Sequence, residues 1–224
     1  MLLAENLLLL VTDDASGRLS VPGSQLDLGL GGANLVELTV MGRVDLSGEK
    51  GAGKPGRLIV RDSSPAGDEV LDAALRIVLA HAGRRPSAVI RPLGRNLRRT
   101  LYERLAANGA VRAERGRVLG VFPVRRWPAQ GAGHEAEMRR LVTEALVQQA
   151  APDAGTAALI ALVHALRCEH KIVDPRRSGL SRRQLRTRAE EITQSNWAPE
   201  PVRTLIEAIA AEVKAAAAAS SGAG

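Results

Sequence analysis

The 224-residue chain has little cysteine, few aromatic residues and no long apolar run. Its single cysteine, Cys168, excludes an internal disulfide, so we expect a reducing compartment. No stretch reaches the ~18 apolar residues that a transmembrane helix requires. The run Leu7–Val11 is too short, and it is flanked by Glu5 and Asp13 rather than by a cationic leader. The sequence therefore predicts a cytoplasmic protein whose contact with a membrane is peripheral.

The sequence also lacks the usual patterns of catalytic and metal sites. Residues 48–55 resemble a phosphate-binding loop, but Pro55 replaces the hydroxyl that would hold Mg²⁺, and a strand-like segment follows. His164, Cys168 and His170 fit no common zinc spacing. No Ser/His/Asp or paired-carboxylate arrangement is evident. We expect no enzymatic activity, no metal and no cofactor.

Positive charge is concentrated in one segment of the chain. Residues 84–126 hold 12 arginines and two acidic residues, a net charge of +10, whereas the whole chain carries +7. The rest of the chain therefore carries a net charge of −3. Three of the four aromatic residues, Tyr102, Phe122 and Trp127, lie in this segment or directly after it. A local cationic field with apolar rings can hold anions at a surface, and the candidate anions are lipid headgroups and nucleic acid.

Hydrophobic periodicity predicts a mainly helical fold. The 157–163 segment is apolar all round, which is typical of a central buried helix. Asp68 caps one amphipathic helix, and Ser181 with Gln184 forms a capping-box signature for another. A further helix is predicted from about residue 95 to residue 108, where Asn-Gly ends it.

Two short β-hairpins interrupt the helices. The first is predicted from residues 43–46 and 57–60, which are joined by a Gly- and Lys-rich loop. The second is predicted within residues 110–124, with its turn at Arg115 and Gly116.

Four side chains of the predicted 95–108 helix share one stripe, because Arg95, Arg98, Arg99 and Tyr102 are spaced at i, i+3, i+4 and i+7. Arginine pairs at this spacing repel by ~0.2–0.5 kcal/mol each. Glu103 relieves part of that repulsion, and the rest favours an external anion. The alternative is a solvated face whose acidic partners lie elsewhere in the fold.

Apolar residues of the second hairpin lie between clusters of arginine. Leu119, Val121 and Phe122 could insert into a lipid interface, form an oligomer contact or pack on the core. Trp127 follows two arginines, so it is either an interfacial anchor or a lid on the core.

Several stretches together resemble the Golgi phosphoprotein 3 family, which carries the GPP34 domain. The order and spacing of these stretches hold across roughly residues 3 to 213. The matching residues are Leu7–Leu10 with Asp13 and Asp14, Gly32–Ala33 to Glu37–Leu38 with Gly42–Arg43, Pro65–Asp68 with Leu71–Leu75, and Arg95–Arg98.

The resemblance implies one domain over residues 1–213 with a central helical bundle surrounded by amphipathic helices. We expect the Ala/Ser/Gly-rich tail, residues 214–224, to be disordered. The resemblance further implies a non-enzymatic peripheral membrane protein that binds phosphatidylinositol 4-phosphate and has membrane-protein clients. It also implies homo-oligomer contacts through the hairpin 111–124.

The resemblance also implies which residues hold the headgroup. The two family arginines that touch the phosphate fall on Arg95 and Arg98, with Arg91 and Arg99 as secondary contacts. Eukaryotic members add a Trp and an Arg to this pocket, at positions that fall near Pro22 and Gly31 here.

Two other functions are open at this stage. A basic helix followed by a basic ribbon also describes a winged-helix nucleic-acid-binding protein, although the slightly acidic remainder of the chain makes nucleic acid the weaker prediction. The third candidate is a protein-interaction module with no anion ligand.

Overall fold

A computed structural model describes residues 1–48, 54–118, 122–130 and 133–221. The side chains of residues 115–118, 122–126 and 221 lie outside this description, as does most of the phosphate-loop-like segment. The fold is mainly helical, as the sequence predicts. In the described part of the chain the helices are α1 (Leu3–Leu10), α2 (Gly23–Val40), α3 (Glu69–Ala80), α4 (Ser87–Gly94), α5 (Leu97–Ala107), α6 (Gly133–Val147), α7 (Ala154–Ala165), α8 (Glu169–Ile172), α9 (Pro175–Ser178), α10 (Arg182–Gln194) and α11 (Glu200–Ser221).

Two antiparallel hairpins accompany the helices. In the first, β1 (Val44–Leu46) pairs with β2 (Leu58–Val60), as predicted. In the second, β3 (Glu114–Val118) pairs with β4 (Phe122–Arg126). The predicted turn of this second hairpin is wrong: Arg115 and Gly116 lie inside β3, opposite Arg125 and Val124. Antiparallel pairing continues through both positions, so they belong to the strand and not to the turn.

Helices α2 and α7 form the centre of the bundle. Helix α2 contacts α1, α3, α4, α5, α7 and α11, while α7 contacts α1, α6, α10 and α11. Both are apolar on nearly every face, so they are stable only when neighbouring helices exclude water from all sides. The central buried helix predicted at 157–163 is therefore confirmed as part of α7.

Glycines allow α2 to approach α4 closely. A Cβ at Gly31 would lie 2.7 Å from the backbone nitrogen of Gly94 and would also clash with the carbonyl oxygen of Ile90. A Cβ at Gly94 would in turn clash with the backbone of Asp27. The two helices thus touch backbone to backbone, which only glycine permits.

Local capping signals explain where some of the helices begin. The Asp68 carboxylate accepts hydrogen bonds from the first turn of α3, and Ser181 with Gln184 completes a capping box on α10.

The C-terminal tail differs from its prediction, because α11 continues to Ser221 where disorder was expected from residue 214. Five consecutive alanines, residues 215–219, have the highest helix propensity, and this extends the helix beyond its buried part.

We predict that Gly31→Ala destabilises the protein, because its methyl group must push two helix backbones apart. The expected loss in the free energy of unfolding is ~1–3 kcal/mol, measured by urea denaturation. The matched control is Gly48→Ala, where a Cβ would meet no atom of the described residues within 4 Å. We expect the control to change stability by less than ~0.5 kcal/mol; equal losses in both variants would contradict the close-contact account.

Candidate anion-binding site

The helix that carries the arginines begins two residues later than predicted. Helix α5 starts at Leu97, and its N-cap, Asn96, adopts a left-handed conformation with φ +60°. Arg95 therefore lies in the turn between α4 and α5, and Tyr102 is buried. The predicted stripe of four residues is therefore interrupted, because Arg95 precedes the helix and Tyr102 packs in the core. Asparagine tolerates this conformation, and the sharp turn that results separates α4 from α5.

Arg98 lies across the beginning of α2. A Cβ at Gly23, the first residue of α2, would clash with Nη1 of Arg98 and lie 3.2 Å from its Cζ. Because Arg98 is in the first turn of α5, one side chain brings two helix N-termini together. Neither N-cap residue, Pro22 nor Asn96, makes a side-chain capping hydrogen bond in the described structure.

This arrangement concentrates positive potential. Each helix N-terminus presents unpaired backbone N–H groups and the equivalent of about half a positive charge. The guanidinium of Arg98 adds a full charge between them. Such a surface favours an anion, because the N–H groups and the dipole both point toward it.

One carboxylate partly offsets this charge. The Nε atom of Arg98 lies 3.4 Å from Oδ1 of Asp27, which is longer than a good charge-assisted hydrogen bond. Burial raises the pKa of the Asp27 carboxyl, and the charge of Arg98 only partly opposes that rise. The pair is therefore loose and leaves donors of Arg98 available to a ligand.

The other predicted arginines differ in their partners. Arg91 and Arg95 are exposed and form no ion pair with any described residue. Arg99 is exposed and binds Glu103 at 2.8 Å, and this hydrogen bond raises the pKa of its guanidinium. Arg95 borders a groove between α3 and α5, whereas Arg98 lies at the start of α2. The structure thus places Arg95 and Arg98 on either side of the beginning of α5.

Trp127 is not an exposed anchor. Only 8% of its surface is exposed, and its ring stacks on Tyr102 with a centroid distance of 4.9 Å. The Tyr102 hydroxyl in turn hydrogen-bonds the Thr12 hydroxyl at 2.7 Å. The structure therefore supports the other interpretation of the sequence, in which Trp127 covers the core. The stacked rings also join the end of β4 to α5.

The remaining predicted contact residues are at the end of the second hairpin. Leu119 and Val121 lie outside the described residues. Phe122 is the first residue of β4, where its backbone pairs with Val118. The membrane and oligomer roles of these residues stay predictions.

Sequence reasoning missed a charged cluster behind the site. The Arg104 guanidinium binds the Glu5 carboxylate at 2.9 Å and the Asp68 carboxylate at 2.6 Å. Glu5 is 1% exposed, and its second oxygen caps α1 by accepting a hydrogen bond from the backbone N–H of Leu2. The cluster joins α1, α3 and α5, and its residues are up to 99 positions apart. No local pattern could have identified it.

The two positions of the eukaryotic pocket have structural consequences here. Pro22 is the N-cap of α2, directly beside Arg98, and offers no aromatic ring. Gly31 faces the backbone of α4, so an arginine at this position would require α4 to move. The contact between α2 and α4 therefore leaves no room for a longer side chain at Gly31.

In the described residues, no three His, Cys, Asp or Glu side chains are grouped as they would be to hold a metal ion. The imidazole Nδ1 of His164 lies 2.7 Å from the Glu169 carboxylate. Likewise, none of the described helices combines the length and hydropathy that crossing a bilayer demands.

The sequence model of the Golgi phosphoprotein 3 (GPP34) family matches residues 3–209. The chain belongs to this family. Membership suggests a lipid or protein adaptor role of the Golgi phosphoprotein 3 kind, and proteins of this kind are generally not enzymes. No curated protein matches the chain.

We predict that Arg104→Met destabilises the protein far more than Arg99→Met. Removing Arg104 leaves the buried Glu5 carboxylate without its ion partner, a loss of about 3 kcal/mol in the free energy of unfolding. Arg99 pairs with Glu103 in solvent, where water and salt screen the ion pair, so its loss should leave the free energy of unfolding nearly unchanged. Chemical denaturation of both variants is the measurement, and equal stabilities would show that the buried cluster does not join the three helices.

Proposed function

We propose that this protein is a non-enzymatic peripheral membrane adaptor that binds anionic lipid headgroups at the beginnings of α2 and α5. Arg98 is the central ligand, Arg95 is the second, and Arg91 and Arg99 contribute more weakly. The observation that carries the proposal is the position of Arg98 between two helix N-termini without capping side chains. A phosphate there would accept hydrogen bonds from the guanidinium and from backbone N–H groups.

Family membership supports a phosphoinositide as the headgroup, with phosphatidylinositol 4-phosphate as the named candidate. Pro22 and Gly31 supply neither the aromatic ring nor the additional positive charge that eukaryotic members have near these positions. We therefore propose that the site recognises a phosphate group in an anionic bilayer and depends less on the inositol ring.

The strength of such a contact favours reversible attachment. Each basic side chain near an anionic leaflet contributes ~1 kcal/mol. Four arginines then give about 4 kcal/mol, which corresponds to millimolar affinity. Stable attachment at the cytosolic face of a membrane needs a second contact, and the hairpin 111–124 or a membrane-protein client would supply it.

We predict that Arg95→Gln with Arg98→Gln weakens binding to acidic vesicles roughly 30-fold, since two contributions of ~1 kcal/mol are lost. The assay is co-sedimentation with vesicles containing phosphatidylinositol 4-phosphate, at increasing salt. Binding of the unmodified protein should weaken as salt screens the charges.

The matched control is Arg183→Gln with Arg186→Gln, which removes the same charge from exposed positions of α10. This helix packs on α6, α7 and α8. If both double variants lose vesicle binding equally, the binding depends on total charge and the proposed site is contradicted. Tighter binding to duplex DNA than to vesicles would favour the winged-helix reading and contradict the lipid function.

A further inference from the structure

A cavity lies at the far end of α2 from Arg98. It has a volume of about 610 Å³ and is enclosed by the last turns of α2, strand β1, the beginning of α7 and the chain that joins α10 to α11. Glu37 in its wall and Gly23 at the lipid site lie on the same helix, about 21 Å apart along its axis. The cavity is therefore separate from the proposed lipid site, and its volume is typical of small-molecule sites.

The walls of this cavity are mainly apolar. Trp197 lines it, and the indole N–H of this residue donates a hydrogen bond to the carbonyl oxygen of Thr193 at 3.2 Å, which fixes the orientation of the ring. Val40 is 66% exposed, so water contacts a hydrophobic surface here. Other apolar residues of the wall include Ala158, Pro199 and Val202. An apolar molecule that displaced this water would gain the free energy of hydrophobic burial.

Glu37 places a half-buried carboxylate in this apolar wall. Its Oε2 atom accepts a hydrogen bond from the backbone N–H of Leu3 at 2.9 Å. Its Oε1 atom accepts no hydrogen bond from a described residue, yet it keeps contact with solvent, so a ligand can reach it. Burial raises the pKa of the Glu37 carboxyl, and the Leu3 N–H opposes part of this rise. A cation at Oε1 would offset the cost of holding the carboxylate away from water.

The other charges at the cavity are already compensated within the described residues. The Arg61 guanidinium donates two hydrogen bonds to Oδ2 of Asp45, at 2.8 and 3.1 Å. Helices α7 and α11 begin at the cavity, but Asp153 caps the first and Glu200 lies in the first turn of the second, so carboxylates offset both helix dipoles. The charged residues that line the wall therefore leave one unpaired negative charge, that of Glu37.

We propose that this cavity binds a small primary amine with an aromatic or branched aliphatic body. The protonated amine donates a hydrogen bond to Oε1 of Glu37, and the apolar body packs against Trp197 and Val40. Charge and hydrophobicity favour the same ligand, because the carboxylate selects a monocation and the apolar wall selects a body that water solvates poorly. This assignment concerns the end of α2 and does not depend on the anionic-lipid function.

Three soluble probes with the same phenyl body test this chemistry on the full chain: phenethylamine, phenethyl alcohol and hydrocinnamate. The chain has two tryptophans, so two indole N–H signals in the NMR spectrum report on the cavity, through Trp197, and on the core, through Trp127. Phenethylamine should shift the Trp197 signal and leave the Trp127 signal unchanged. It should bind at least ~10-fold more tightly than the uncharged alcohol, and the hydrocinnamate anion should bind more weakly still.

Three results of this titration would overturn the proposal. The first is no shift of the Trp197 signal up to about 10 mM phenethylamine. The second is equal affinity for the three probes, and the third is an equal shift of both indole signals.

Glu37→Gln isolates the carboxylate, since the amide keeps the size of the side chain and can still accept the N–H of Leu3. The affinity for phenethylamine should fall at least ~10-fold, while the affinity for phenethyl alcohol stays unchanged. The matched control is Glu207→Gln, which removes the same charge from an exposed position of α11 outside the cavity wall. Full amine binding by Glu37→Gln, or equal losses in both variants, would contradict the assignment.

A second variant tests the carboxylate without replacing it. Val40 is exposed and lies three residues after Glu37 on α2, so Val40→Lys places an ammonium group where it can pair with the carboxylate. This internal partner should compete with phenethylamine and weaken its binding several-fold. Val40→Met is the neutral control and should retain binding. Unchanged amine affinity in Val40→Lys would count against Glu37 as the ligand.

Arg98→Gln separates this cavity from the lipid site. This variant should keep phenethylamine binding and lose affinity for acidic vesicles, whereas Glu37→Gln should keep vesicle binding and lose affinity for the amine. The two proposals can therefore fail independently. Loss of amine binding in folded Arg98→Gln would contradict the placement of the site at the end of α2.

Discussion

The backbone contact between α2 and α4 at Gly31 and Gly94 is the constraint on which the candidate site depends. Because Gly94 lies against the backbone of Asp27, the chain leaves α4 beside the first turns of α2. The left-handed residue Asn96 then turns it into α5, so that Arg98 reaches back to Gly23. A larger side chain at either glycine would separate the two helices and move Arg98 away from the start of α2.

The electrostatics of the surface follow from this packing. Two helix N-termini and one guanidinium meet beside Asp27, which offsets part of their positive charge through a long ion pair. Some other arginines hold the fold together through close ion pairs, as between Arg104 and its two carboxylates or between Arg139 and Glu135. Arg98 differs from these residues because its ion pair with Asp27 is longer.

Local sequence signals predict much of this fold but little of its site. Asp68 and the Ser181 capping box could be identified because the residues that satisfy a helix end lie within three positions of it. The 157–163 segment was identifiable from its uniform hydrophobicity. The burial of Trp127, the role of Gly31 and the Arg104 cluster depend on residues distant in sequence. The start of α5 was misplaced because nothing in a helical pattern signals that Asn96 is left-handed.

The central claim is that an anion binds between the beginnings of α2 and α5. Titration of the isotope-labelled protein with inorganic phosphate, followed by backbone amide NMR shifts, tests it most directly. The account predicts the largest shifts at Gly23, Ser24, Leu97 and Arg98, whose N–H groups would face the anion. Shifts confined to the arginines of α10, or no change at these four amides, would contradict it.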